Sequence, residues 1–258
     1  LLVKEIFNDR LGGLLAAVFL LLFYPAAENL YRLGTNEPTV VLYMLVALYG
    51  FVRAIKRNSW KFFALSVFAL ILALFNKPTI LALVPFSLFV LALFKLYGKK
   101  TEKNAVRWAT AFFLANLALA VILIALFSLY GIAGGYGSQY ALDLETIKGR
   151  LAEYHKVITT SYGPLFFLLL ISFFGRLVLQ NNFKKREITW ESKWEIIFFA
   201  LFASLIAVQI PWPHLMGRYL PPALVGLSII FGVEFSFLFR TAIDVLRGKE
   251  SKLLLPKK

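Results

Sequence analysis

An all-α polytopic transmembrane bundle is the fold class this sequence predicts, and three observations carry it. Of the 258 residues, 60% are hydrophobic and the mean hydropathy is +0.74. That is more apolar surface than a soluble domain of this size could cover. Apolar runs near the roughly 20 residues a helix needs to cross a bilayer recur about eight times. The runs are also continuous, as in LLAAVFLLLF at 14–23, where barrel strands would alternate.

Spans are expected at about 12–31, 38–55, 60–76, 78–96, 107–130, 162–180, 194–211 and 219–239. The first ends at the polar stretch that carries Glu28 and Arg32, and the second starts beside Glu37 and Pro38. The third and fourth are short and meet at Asn76-Lys77-Pro78. At 1.5 Å per residue each reaches only about 24–27 Å, so their break is expected somewhat below the membrane surface. After the fifth span comes the loop 131–161. It opens flexibly as GIAGGYGSQY and continues as LDLETIKGRLAEYHKVI. There Leu144, Ile147, Leu151, Tyr154 and Ile158 recur at helical spacing, which predicts an amphipathic helix lying on the membrane surface. The last span opens as RYLPP, with Pro221 and Pro222 suited to a first helical turn.

Charge orients these spans. The links at 53–61, 95–107 and 181–193 and the tail are rich in Lys and Arg, and the four intervening links are poorer. The basic set is expected inside and the other set outside, which also places both ends of the chain in the cytoplasm. Residues 1–240 read as one membrane domain, followed by a basic cytoplasmic tail at 241–258. The net charge of +14 (28 basic minus 14 acidic residues) follows from this arrangement and does not call for nucleic acid. There is no cysteine, and His155 and His214 are the only histidines. Disulfides, Cys-based metal sites and His-rich metal cages are therefore excluded. The chain opens LLVKEIF without Met or a charged leader, which reads as a start inside a longer protein.

The outside set holds the residues with chemical potential. Glu37 sits in a short link between two spans, where it could be a solvated turn residue or a carboxylate at the entrance of an outward-facing helix. Lys77 could snorkel to headgroups or aim its charge at an anion within a cavity. Arg218 offers a permanently charged planar fork suited to phosphate, just before a helix N-terminus that also favours anions; an interfacial Arg-Tyr anchor is the plain alternative. Arg32, His155, His214 and Tyr219 complete the group. His155, beside Tyr154, reads first as a solvated residue of the surface helix and only second as a ligand.

Three stretches carry a resemblance: PAAENLYRLGTNEPTVVLYMLVALYGFVRA, ALILALFNKPTILALVPFSLFVLAL and RYLPPALVGLSII. In this order and sidedness they resemble the GT-C membrane glycosyltransferases, in the protein-mannosyltransferase and aminoarabinose-transferase branch. The resemblance implies transfer of a sugar from a polyprenyl-phosphate carrier to a protein, lipid or glycan acceptor outside the cytoplasm, by an inverting displacement. It implies two important carboxylates. One belongs to a first external loop, which would precede residue 1, and Glu37 takes the place of the second. Lys77, His214 and Arg218 would hold the donor phosphate, with Arg32, Tyr219 and His155 as further cavity residues. Glu37 could also hold a divalent metal ion through hard oxygen ligands.

Two other classes fit the same composition. A transporter or lipid flippase would place charges or broken helices near the midplane. Here the ionisable residues gather at one face, and Glu234 is the one acid read as deep. A non-catalytic membrane subunit is the third reading.

Overall fold

The computed structural model describes residues 1–22, 37–76, 82–99, 102–129, 143–181, 188–210 and 220–247, without the side chains of Glu37 and Phe127. Its described elements are helices: α1 (Leu2–Phe7), α2 (Arg10–Leu22), α3 (Glu37–Arg57), α4 (Trp60–Asn76), α5 (Leu83–Tyr97), α6 (Lys103–Leu129), α7 (Leu144–Tyr162), α8 (Pro164–Gln180), α9 (Trp190–Gln209) and α10 (Pro221–Leu246). A helix satisfies its own backbone in lipid, and the long apolar runs leave no other economical choice. Local signals set several boundaries. The Asp143 carboxylate accepts a hydrogen bond from the Thr146 amide at 2.8 Å and caps α7. The Thr189 hydroxyl caps α9 in the same way by accepting from the Ser192 amide. Gly163, at φ 58°, ends α7 in a backbone conformation that favours glycine, and α8 leaves at 99° to α7.

A helix overlies each expected span, with differences at the edges. Three described helices are long and apolar enough to cross a membrane: Pro38–Arg57, Lys103–Leu126 and Pro221–Leu246. The bent pair α7–α8 would make a fourth, and α2, α4 and α5 are shorter apolar helices. The described helix of the second short span is Leu83–Tyr97, and the expected start at residue 78 lies outside the described residues. The seventh begins at Trp190, so Lys193 belongs to a helix rather than to the preceding link, and its side chain is fully buried. The last helix continues to Leu246.

Small residues set the tightest contacts. Where α2 crosses α10, Gly232 lies against the backbone of Gly12 and Ala16, leaving no room for a Cβ. Gly226 gives the same close approach to the Phe198 carbonyl of α9. With no gain from removing apolar surface from water, such backbone proximity is the main source of helix association in lipid. α3 and α4 form a hairpin through Asn58 and Ser59, with Gly50 against α4 and the Ser66 hydroxyl donating to the Ala47 carbonyl at 2.7 Å. Aromatic rings fill the remaining space: Phe51 stacks on Phe112 at 4.4 Å, and Trp194 meets both Phe51 and Phe94. The centre is α10, buried continuously from Pro221 to Glu234 and packed against α2, α3, α8 and α9.

Successive long helices alternate in direction, so the bundle has two ends, and one of them gathers the basic links. There Arg53 pairs with Glu5 at 3.1 Å, Lys193 with Glu102 at 2.5 Å, and Arg240 with Asp9. Lys56 donates to the Glu5 carbonyl, and the Trp108 indole donates to Asn58 at 3.0 Å. Deeper on the same half, Arg176 of α8 joins Glu195 of α9 and Glu234 of α10, and the Ser172 hydroxyl donates to Glu234 at 2.8 Å. Glu234 is therefore not the one deep acid: α9 starts early enough to carry Glu195 into the interior, where it is 1% exposed.

Candidate functional site

The opposite end is bounded by Leu22 of α2, Glu37 of α3, Asn76 of α4, Leu83 of α5, Leu129 of α6, Gln209 of α9 and Pro221 of α10. α7 joins them there. These helix ends are the anchors of the links that carry the sequence candidates. Glu37 is the first residue of α3, and its side chain lies outside the described residues. Arg32, Lys77, His214, Arg218 and Tyr219 also lie outside the described residues. His155 is described: it is exposed on α7, with its ring 6.3 Å from that of Phe167 on α8.

Hydroxyls and rings, not ion pairs between helices, hold the described part of this end. The Tyr162 hydroxyl donates to the Phe19 carbonyl at 3.2 Å, and its ring meets Phe231 edge-on at 5.3 Å. The Tyr154 hydroxyl lies 3.5 Å from the Gln209 carbonyl, and burial pushes its phenol up to about 12. Asn76 donates from its side-chain amide to the Leu72 carbonyl at 2.7 Å, closing the last turn of α4 on itself. The hydrogen bond from Thr146 holds the Asp143 carboxyl below its ordinary range. Arg150 and Glu153 pair within α7.

Two clefts open among the described residues, and neither contains a candidate. One, of about 720 Å³, lies at the basic end between α1, α3, α6 and α9 and includes Lys4, Lys56, Asn104 and Glu191. The other, of about 360 Å³, is an apolar groove between α1, α2, α3 and α10. Among the described residues no three His, Cys, Asp or Glu side chains gather. They build no donor set for a divalent cation, and no step below is drawn through one.

Sequence reasoning passed over Arg176 altogether. Its partners lie 19 and 58 residues away on two other helices, so no local pattern announces them. The available signal was charge inside an apolar run: one Arg and two Glu within three late spans must find each other or reach water.

An apolar bundle with three helices long and apolar enough to cross a membrane defines an integral membrane protein. Residues 1–131 match the family model described as dolichyl-phosphate-mannose-protein mannosyltransferase. The chain belongs to that family, and glycosyl transfer at a membrane is the activity that membership implies in general. The match includes Arg32, Glu37 and Lys77, and ends before His155, His214, Arg218 and Tyr219. No curated protein and no solved structure matches the chain.

Proposed function

We propose that this chain transfers a sugar from a polyprenyl-phosphate carrier to a protein, lipid or glycan acceptor on the extracytoplasmic face. The observation that carries this reading is that the helix ends flanking the links of Glu37, Lys77, His214 and Arg218 lie at one end of a bundle that belongs to a glycosyltransferase family. With the basic end read as cytoplasmic by the positive-inside rule, the opposite end would face outside, which supports this side for the reaction.

In the reaction, an acceptor hydroxyl oxygen attacks the anomeric carbon from the face opposite the phosphate. The bond from that carbon to the phosphate oxygen breaks, and its electron pair leaves with the polyprenyl phosphate. The hydroxyl proton passes to a carboxylate base, the role that the resemblance gives to a first external loop. Glu37 is the second carboxylate and holds polar groups of donor or acceptor in the geometry of attack. Lys77, His214 and Arg218 stabilise the charge that develops on the leaving phosphate, with Arg32, Tyr219 and His155 as further contacts. Should Glu37 also hold a divalent cation, chelation would suppress transfer and added metal would restore it.

A transporter is less well supported. The buried charges Arg176, Glu195 and Glu234 bind one another between packed helices and line neither cleft. Incubating the purified full-length protein with a polyprenyl-phosphate sugar and a panel of acceptors tests the proposal. Release of polyprenyl phosphate together with a glycosylated product supports it; movement of intact donor across vesicles without transfer supports the transporter.

A further inference from the structure

α7 is one unbroken helix of 19 residues whose apolar stripe meets two different surroundings. In its second half Tyr154, Ile158 and Tyr162 are buried against the end of the bundle. In its first half Leu144 and Leu151 stand on the same stripe, at positions i and i+7, yet remain 64% and 48% exposed. A helix without a break keeps residues at this spacing on one face along its length. Whatever level Tyr154 and Tyr162 reach in the bundle, Leu144 and Leu151 face that level beyond its edge.

The structure also shows what lies at that level. On α8, Phe167, Ile171, Phe174 and Val178 recur at helical spacing and are all exposed, forming an outward apolar row on an apolar helix. In an integral membrane protein, such a row faces acyl chains. His155, four residues after Leu151 on the α7 stripe, sits over Phe167 at the top of this row. The lipid-facing surface of α8 therefore turns through the 99° bend at Gly163 and continues onto the underside of α7. Lys148 stands on the flank of the same stripe, where an interfacial helix carries cations.

We propose that the amino-terminal half of α7 is a membrane foot: Leu144 and Leu151 enter the interfacial layer of the leaflet next to the candidate site. The foot extends the lipid-facing row of α8 and fixes the height of the polar end above the bilayer. It stands independently of the reaction proposed above.

The sequence contains no cysteine, so single cysteines can be introduced and spin-labelled without background. Four full-length variants in lipid vesicles decide the matter: Leu144→Cys, Leu151→Cys, and Glu145→Cys and Glu153→Cys on the other faces of the helix. Collision with oxygen, which concentrates in lipid, is compared with collision with a water-soluble nickel complex. The oxygen-to-nickel ratio should be several-fold higher at Leu144 and Leu151 than at Glu145 and Glu153. Equal ratios at all four positions would overturn the foot by placing the stripe in water. Labels at Leu144 and Leu151 shielded from both reagents would overturn it by placing protein over the stripe.

Discussion

The two ends of the bundle use polar residues in opposite ways. At the basic end, described charges are spent on structure: Glu5, Asp9, Glu102, Glu195 and Glu234 each have a cationic partner on another helix. At the other end, no ion pair joins two helices among the described residues, and tyrosine hydroxyls and aromatic edges make the contacts. The ionisable candidates there belong to the links instead. The difference teaches that charged residues hold helices together where they are enclosed, and that the chemistry proposed for the other end must come from charges that no helix contact has claimed among the described residues.

The sharpest way to break the comparison is to remove the cation from the enclosed end. Arg176 is one guanidinium for two carboxylates, and the second oxygen of Glu195 has no hydrogen-bond partner among the described residues. Arg176→Met should cost about 3–5 kcal/mol by leaving Glu195 and Glu234 buried without their cation. Adding Glu195→Gln and Glu234→Gln should restore most of it, as thermal unfolding in detergent would report.

Next in size is packing. Gly232→Ala puts a methyl group into the backbone of Gly12 and Ala16, so α2 and α10 must separate. A loss of about 1–3 kcal/mol is expected, the usual range for overpacking. Gly175, with open space around it, should accept alanine without loss in the same assay.

At the other end, substitutions should act on ligand rather than on fold. Arg218→Lys keeps the charge but loses the planar fork. Donor affinity should fall about tenfold, near 1.4 kcal/mol, and Arg218→Ala should weaken it further. Equal donor affinities in all three proteins, by direct binding of polyprenyl-phosphate sugar, would return Arg218 to an interfacial anchor.

The smallest effect belongs to Asp143. The folded state lowers its carboxyl through the Thr146 hydrogen bond, so its contribution is present above the unfolded value and lost as pH falls through the folded one. Asp143→Asn should retain the cap and remove this acid-side loss, whereas Asp143→Ala should fray the first turn of α7 at all pH values. Hydrogen exchange of the Thr146 and Ile147 amides distinguishes the two.

Helices proved easy to read where a local signal was present. The α7 stripe and its Asp143 cap stand within a few residues of each other, so the helix is legible without its surroundings. Glu37 likewise marks the start of α3 from its own position next to Pro38. Arg176, Glu195 and Glu234 were not legible, because their meaning depends on contacts across α8, α9 and α10. Gly232 is a second case: only the crossing with α2 shows why a side chain is missing there. For the candidate site, sequence supplies the residue types, and the structure supplies the helix ends that flank their links.

Glu37→Gln in the full-length protein tests the division between a holding end and a reacting end most directly. Sugar transfer should be measured per folded molecule, with the melting temperature of the same sample. The account predicts that transfer falls by about 100-fold or more while the melting temperature stays at the wild-type value. Near-normal transfer, or a melting temperature that falls along with activity, would contradict it.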